Sequence, residues 1–245
     1  MIGAGKGIGR ATALLLAEAG AHTIVLDRHE DRGNAVMLEI RAAGGRADSV
    51  CADVTQPNDR VAAIASAFEF APNLDLLVNI TGSATWVPLL EMTDEVWHRD
   101  FEINLVQHRD VCQLVVSHWQ TKHRAGVICV VGSISGCFGS PRHSAYGAAK
   151  AGLASFVRTA AEEWRDSRIR VNAVVPGSVR TDRIEATLMN LDEPIPEAQR
   201  SRMAVPEDIA GPIAFLMSDL AQQISGQSVV IEGGTSTRFP YLQTD

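Results

Sequence analysis

The 245-residue sequence lacks the features that mark several large classes of protein. No apolar run approaches the roughly 20 residues that a membrane-spanning helix needs, and no charged leader precedes an apolar stretch at the start. Basic residues are dispersed and the formal net charge is -7, whereas a nucleic-acid or anionic-membrane surface normally carries a basic patch. We therefore expect a cytoplasmic protein that binds neither nucleic acid nor a membrane.

Sequence patterns for metal sites and for serine hydrolases are also missing. The histidines show no HxH or HExxH spacing and the cysteines form no CxxC pair, so we expect no metal. No GxSxG segment is present, which disfavours a serine hydrolase. Cys129 and Cys137 lie in or beside apolar segments, as reduced cysteines in a protein core often do, and this favours a reducing compartment.

Short apolar runs alternate with longer segments of helical periodicity along the whole chain. The predicted strands are 23–26, 74–79, 127–131, 170–175 and 228–231. The predicted helices are 10–19, 32–43, 58–71, 95–122, 145–166 and 206–217. This alternation predicts a single α/β domain over residues 1–245, with a doubly wound, Rossmann-type parallel sheet between two helical layers.

A glycine-rich turn, Gly3-Ala4-Gly5-Lys6-Gly7-Ile8-Gly9, stands almost at the beginning of the sequence. Followed by a helix, such a turn suits a backbone that approaches a pyrophosphate, although a purely structural turn is the alternative. Only Met1 and Ile2 remain for the central strand that should precede it. We expect this first strand to be nearly absent, so that either the natural start lies upstream or the sheet tolerates unpaired backbone groups there.

An acidic residue, Asp27, ends the next predicted strand about 18 residues after Gly9. A carboxylate at this position can accept hydrogen bonds from the adenosine ribose and would repel a 2'-phosphate. Lys6 and Arg28 are cations that could partly counter this repulsion. We therefore expect NAD as cofactor in preference to NADP, with a solvated acid at the end of a strand as the alternative interpretation of Asp27.

Beyond these residues, the sequence resembles the short-chain dehydrogenase/reductase family over essentially its whole length. The turn resembles the family's TGxxxGxG pattern with Ile2 in place of Thr, and Asn79-Ile80-Thr81-Gly82 resembles its NNAG segment with the middle pair replaced. The resemblance implies a cofactor-binding set of Gly3, Gly5, Lys6, Gly7, Ile8, Gly9, Asp27, Arg28, Asp53, Val54, Asn79, Ile80, Gly82, Tyr146, Lys150, Pro176, Gly177, Val179 and Thr181. It implies a catalytic set of Asn104, Ser133, Tyr146 and Lys150, the last two from a YxxxK motif.

Tyr146 and Lys150 lie four residues apart on a predicted helix, which places both on one face about 6 Å apart. A free tyrosine has a pKa of about 10, and a nearby ammonium favours the phenolate that acid–base work near neutral pH requires. The hypothesis is that Tyr146 exchanges a proton with a secondary alcohol or carbonyl while Ser133 orients the substrate oxygen. The resemblance implies that Lys150 also binds the nicotinamide ribose and that Asn104 holds a water that passes the proton on.

Residues 183–205 are expected to form a mobile cover over the substrate pocket. Trp86, Phe138, Leu188 and Met189 would form an apolar wall, with core packing as the alternative for each, and a wall would favour a moderately hydrophobic alcohol or ketone. His143 could face the substrate, although we favour an exposed loop histidine.

The family's long helices imply a homotetramer. The competing functions are an NADPH-dependent 3-oxoacyl reductase and a non-catalytic dinucleotide-sensing protein.

Overall fold

The molecule is built on a parallel β-sheet. A computed structural model describes residues 1–189 and 196–237. The strands are β1 (His22–Asp27), β2 (Arg46–Cys51), β3 (Leu76–Asn79), β4 (Gly126–Val131), β5 (Ile169–Pro176) and β6 (Ser228–Ile231). β2 pairs with β1, and the other four pair in the order β3-β4-β5-β6, all in parallel. Ile2 bridges the two groups by pairing with both β1 and β3.

The very short first strand is fully engaged with its neighbours. Ile2 donates its N–H to the carbonyl of Val78 (2.8 Å) and accepts from the N–H of Ile80 (3.0 Å). On the other side, Leu26 donates to the carbonyl of Met1 (2.9 Å). The expected short central strand is therefore present, but the expectation that it would leave backbone groups unpaired is wrong for Ile2.

Helices cover both faces of the sheet. The helices are α1 (Gly7–Glu18), α2 (Glu30–Ala42), α3 (Pro57–Phe70), α4 (Asp94–Phe101), α5 (Gln107–Thr121), α6 (Ser144–Glu163), α7 (Asp182–Met189), α8 (Glu197–Arg200) and α9 (Pro206–Met217). Buried residues of α3, α5 and α6 form one apolar cluster with the strands. Those of α1, α2 and α9 form two clusters that include the opposite side chains of the strands. The α/β sandwich predicted from the sequence is confirmed.

Besides α7 and α8, which were not predicted, the helix over 95–122 and the strand β2 differ from the prediction. The long helix expected over 95–122 is divided into α4 and α5 by a π-helical turn, Glu102–Val106, which contains Asn104. Strand β2 was not predicted because its residues are mostly polar and only Ala47 is buried. It pairs with β1 alone and lies at the edge of the sheet, where the continuous apolar run of a central strand is not required.

Two further sequence expectations concern membranes and cysteines. No helix among the described residues is long and apolar enough to span a bilayer. Cys129 is buried in β4 as expected, and burial raises the pKa of its thiol to about 12. Cys137 is exposed, so the expectation that it packs in the core is wrong, because it lies in the loop after β4 and not in the strand itself.

Candidate active site

The glycine-rich turn forms a cradle from which side chains are sterically excluded. A Cβ on Gly9 would lie 1.9 Å from the carbonyl oxygen of Gly3, and one on Gly5 would lie 2.7 Å from a carboxylate oxygen of Asp27. Gly7 has φ +53° and begins α1, facing the methyl group of Thr181. Lys6 is exposed at the N-cap, and Ile8 packs partly into the core. The turn therefore leaves bare backbone at a helix N-terminus, which fits a pyrophosphate.

Asp27 lies directly beside this cradle at the carboxyl end of β1. One carboxylate oxygen accepts a hydrogen bond from the N–H of Gly5 (2.9 Å), and the other accepts from the N–H of His29 (3.0 Å). Arg28 is exposed and directs its guanidinium to the ring of His29 (3.3 Å). The carboxylate is thus fixed by the backbone of both flanking loops, with its charge at the rim of the cradle.

A buried arginine, Arg60, holds the loop that follows β2. Val54 is buried, and its carbonyl accepts a hydrogen bond from Arg60 (2.8 Å). Arg60 also pairs with Glu102 (3.1 Å) and Asp110 (2.5 Å). The neighbouring Asp53 accepts from the backbone and the hydroxyl of Thr55. Arg60 therefore ties the loop of Asp53 and Val54 to the π-helical turn and to α5.

Segment 79–83, which follows β3, is fastened to the same helical region. Asn79 is fully buried and donates to the side chain of Gln107 (2.9 Å), while Ile80 hydrogen-bonds to the short first strand. Asn104 clamps Ser83 by donating to its carbonyl (2.7 Å) and accepting from its N–H (3.1 Å). The segment therefore runs along the side chains of the π-helical turn and of α5.

Gly82 lies between two of the predicted catalytic residues. A Cβ built on it would lie 3.1 Å from Oδ1 of Asn104 and 3.3 Å from Nζ of Lys150. Lys150 is 3% exposed and donates to the carbonyl of Val131 at the end of β4 (2.7 Å). Its ammonium lies 5.9 Å from the centre of the Tyr146 ring. The tyrosine, the lysine and the asparagine thus converge at the carboxyl ends of β3 and β4, where parallel sheets bind ligands.

Ser133 is brought to this point by close packing of its loop against α6. Its hydroxyl accepts a hydrogen bond from the N–H of Ser135 (3.2 Å). A Cβ on Gly136 would lie 2.7 Å from the N atom of Ala151, and one on Gly147 would lie 2.7 Å from the carbonyl oxygen of Ser135. These two glycines therefore allow the serine loop and the tyrosine helix to approach each other closely.

The segment after β5 lies beside the glycine cradle. Pro176 ends β5, and Gly177 donates to the carbonyl of Ile231 (2.8 Å). Val179 is 6% exposed and forms a bridge with Ala204. Thr181 is partly buried and, through its methyl group, faces Gly7 of the cradle. The residues of the predicted cofactor set are therefore distributed along one edge of the sheet.

The comparisons with known proteins agree with this arrangement. Residues 3–236 match a family model described as enoyl-(acyl carrier protein) reductase. The chain belongs to the short-chain dehydrogenase/reductase family. It is 39% identical to cis-4-hydroxycyclohexanecarboxylate dehydrogenase of Sinomonas cyclohexanicum, with 95% of this chain and 93% of the relative covered. It is 35% identical to a 3-oxoacyl-[acyl-carrier-protein] reductase of Synechocystis sp., with 95% and 94% covered.

Among solved structures, the chain is similar to a 7α-hydroxysteroid dehydrogenase in complex with NADH and 7-oxo glycochenodeoxycholic acid. The TM-score is 0.88 at 30% sequence identity, with 95% of this chain and 91% of that chain covered. The likeness extends over nearly the whole length of both. The residues described above therefore lie in a short-chain dehydrogenase/reductase fold.

Three residues of this short-chain dehydrogenase/reductase were missed or misjudged from the sequence. His143 is half-buried, not exposed: its ring packs edge-on against Trp86 (4.2 Å between centroids) and lies 5.5 Å from the ring of Tyr146. Burial lowers its pKa, while the charge of Asp100 opposes this. Arg60 and His108 were not singled out because a buried cation or imidazole has no distinguishing sequence pattern.

The predicted apolar wall is only partly tested by the structure. Trp86, Phe138 and Met189 are exposed, at 59%, 54% and 79%, so the alternative of core packing is wrong for these three. Leu188 is half-buried in α7. The predicted cover over 183–205 includes residues 190–195, which lie outside the described residues. Its described parts, α7 and α8, are joined by an ion pair of Glu185 and Arg200 (2.5 Å).

No group of three or more histidine, cysteine, aspartate or glutamate side chains within 1–189 and 196–237 could hold a metal ion.

Proposed function

We propose that this oxidoreductase transfers a hydride between NAD(H) and a moderately hydrophobic secondary alcohol or ketone. The position of Lys150 carries the proposal. Its buried ammonium lies within reach of Tyr146, against Gly82, and at the end of β4, beside the loop of Ser133. A buried ammonium that close to a phenol favours its ionised form.

The glycine cradle and Asp27 suit the pyrophosphate and ribose of a dinucleotide, and NAD supplies the hydride acceptor or donor when bound. Tyr146 would take the hydroxyl proton of the alcohol, or return it to the carbonyl in reduction. Ser133 would hydrogen-bond the substrate oxygen, and Lys150 would hold the nicotinamide ribose. Asn104, whose side chain is held by Ser83 and by the carbonyl of Asp100, would hold the water that passes the proton on, as the family resemblance implies.

The cofactor preference rests on Asp27. Because both of its oxygens accept backbone N–H groups, the carboxylate is fixed at the rim of the cradle and cannot swing away from a 2'-phosphate without losing them. Repulsion between these charges favours NAD. Lys6 and Arg28 are exposed and make no contact that would direct them to such a phosphate. An NADPH-dependent reductase is thus the second candidate.

The substrate class rests on the exposed aromatic residues near Tyr146. His143 packs edge-on against its ring and Trp86 packs edge-on against His143, while Phe138 is exposed in the loop that follows Ser133. Such a surface favours an alicyclic or steroid-like alcohol. Two of the similar proteins act, by their names, on a hydroxycyclohexanecarboxylate and a hydroxysteroid, both of which carry an alicyclic alcohol. The Synechocystis relative is a 3-oxoacyl reductase, which supports the alternative with an acyl substrate.

We further propose that residues 1–245 act as one domain, that the protein works in the cytoplasm, and that it assembles as a homotetramer. Assembly is supported by exposed apolar side chains on α9, on the turn after it and on the terminal strand β6, namely Phe215, Leu220, Val229 and Val230. A sensing protein without catalysis is disfavoured because Ser133, Tyr146 and Lys150 are all present and adjacent.

A spectrophotometric screen at 340 nm tests the function directly. NAD and NADP are each offered with a panel of alicyclic alcohols, hydroxysteroids and small polyols, and 3-oxoacyl thioesters are offered with NADH and NADPH. We expect the highest turnover with NAD and the alicyclic compounds. Activity confined to polyols, or to NADPH with acyl thioesters, would contradict the proposal.

Replacing Tyr146 by Phe tests the assigned chemistry. The variant should bind NADH, measured by fluorescence, with nearly unchanged affinity, yet lose turnover by roughly three orders of magnitude or more because the proton-transfer group is gone. Turnover within tenfold of the wild type would refute the role of the tyrosine.

A further inference from the structure

His108 is a buried side chain of α5 that belongs to none of the motifs discussed above. It is fully buried, and Nε2 lies 2.9 Å from the carbonyl oxygen of Thr81. Its other ring nitrogen, Nδ1, is buried and has no hydrogen-bond partner among the residues that the structure describes. Burying an imidazole with one unpaired ring nitrogen costs free energy. We therefore expect its one hydrogen bond to have a role.

The contact fixes the protonation of the ring. A carbonyl oxygen can only accept, so Nε2 carries the hydrogen and donates it to Thr81. Burial, together with the positive charge of Lys150, lowers the pKa of His108 well below its ordinary value, and the bond to Thr81 only partly opposes this. The imidazole therefore remains neutral near neutral pH.

Thr81 belongs to the segment in which this sequence departs from the family's NNAG pattern. Three consecutive contacts hold that segment: Gln107 to Asn79, His108 to Thr81 and Asn104 to Ser83. The last two flank Gly82, whose Cβ position lies 3.3 Å from Nζ of Lys150. A shift of the Thr81 carbonyl would move Gly82 against the lysine.

We propose that His108 is a positioning residue, which holds the Thr81 carbonyl and so keeps Gly82 and Lys150 in the spacing that catalysis requires. The inference rests on the proposed function, because only a working Tyr146 and Lys150 pair makes this spacing matter.

Two variants of His108 distinguish a positioning role of its side chain from a role in packing alone. His108→Gln keeps an N–H donor at about the place of Nε2, whereas His108→Leu keeps the volume and removes the donor. Val115→Ala, at a buried apolar position about two turns further along the same helix, is the control for a general loss of stability. All three are compared for melting temperature, NADH affinity, KM for the alcohol and kcat.

We expect His108→Leu to lower kcat about tenfold to a hundredfold with less change in KM for the alcohol, since a small misplacement of a reacting group has effects of that size. His108→Gln should stay within about threefold of the wild type, and Val115→Ala should keep its kcat despite a lower melting temperature. An unchanged kcat in His108→Leu, or equal losses in the Gln and Leu variants, would overturn the inference. An inactive wild type would instead overturn the proposed function.

A readout without cofactor comes from the NMR spectrum of histidine-labelled protein. The signal absent from His108→Gln should show a neutral ring with hydrogen on Nε2 from about pH 5.5 to 7.5. A ring that takes up a proton within this range, or that has its hydrogen on Nδ1, would contradict the proposed contact.

Discussion

Single residues at the cradle set the charge that a cofactor meets. Asp27 is partly buried and held by two backbone N–H groups, so its charge stays at the rim whether or not a ligand is bound. Replacing it by Asn removes this charge while keeping one acceptor. We expect the ratio of kcat/KM for NADP to that for NAD to rise about tenfold or more, because repulsion of a 2'-phosphate is relieved. Asp31→Asn, an equal charge change at an exposed site in the first turn of α2, should leave the ratio unchanged.

His108 also makes stability depend on pH. Its pKa is lowered in the folded protein, so below the ordinary value of 6.5 the unfolded chain binds a proton that the folded protein excludes. The free energy of unfolding should therefore fall as pH falls through 6.5, by up to about 1.4 kcal/mol per pH unit for this one group. Urea unfolding at pH 7.5 and 5.5 measures this effect. The free energy of unfolding of His108→Gln, relative to that of the wild type, should be higher at pH 5.5 than at pH 7.5. An equal difference at both pH values would show that the ring is not excluded from titration.

At the scale of elements, the site depends on how closely α6 approaches the loop after β4. A Cβ on Gly147 would lie 2.7 Å from the carbonyl oxygen of Ser135, whereas one on Gly211 of α9 meets nothing within 4 Å. Gly147→Ala should separate Tyr146 from Ser133 and lower kcat by about tenfold or more. Gly211→Ala adds the same methyl group to a helix without such a contact and should keep kcat. Equal kcat values for the two variants would show that the approach is not critical.

Prediction of strands from the sequence worked where the apolar run was continuous and failed where polar residues interrupted it. Strands β4 and β5 are buried on both faces, and their unbroken apolar runs identified them. β2 was not predicted because Arg46, Asp48 and Ser49 interrupt its apolar pattern, which a strand at the edge of the sheet tolerates. The π-helical turn was not predicted either. One extra residue in a helical turn changes the spacing of the backbone hydrogen bonds but requires no particular residue type.

At the scale of the whole molecule, the sheet ends in a strand that is unusually exposed. Val229 and Val230 of β6 are 36% and 45% exposed, although they belong to a parallel sheet, which is normally covered on both faces. Contact with further copies of the chain would cover them. Val230→Lys should therefore sediment as smaller species than the wild type, for which we propose a tetramer. Leu38→Lys, at an exposed site of α2, should leave the assembly unchanged. A wild-type protein that sediments as a monomer would refute the assembly.

The sequence by itself predicted the alternation of strands and helices, the glycine cradle with Asp27, and the candidate set of Ser133, Tyr146 and Lys150. The first two follow from apolar runs and absent side chains, the pair of Tyr146 and Lys150 from a spacing of four along one helix, and Ser133 from the resemblance to the family. Only the tertiary structure decided that Ile2 joins the two halves of the sheet, that His143 packs beside Tyr146, and that His108 and Arg60 support the site from beneath. Those contacts join residues distant in sequence, and a buried polar side chain is defined by its partners, which the order of residues does not reveal.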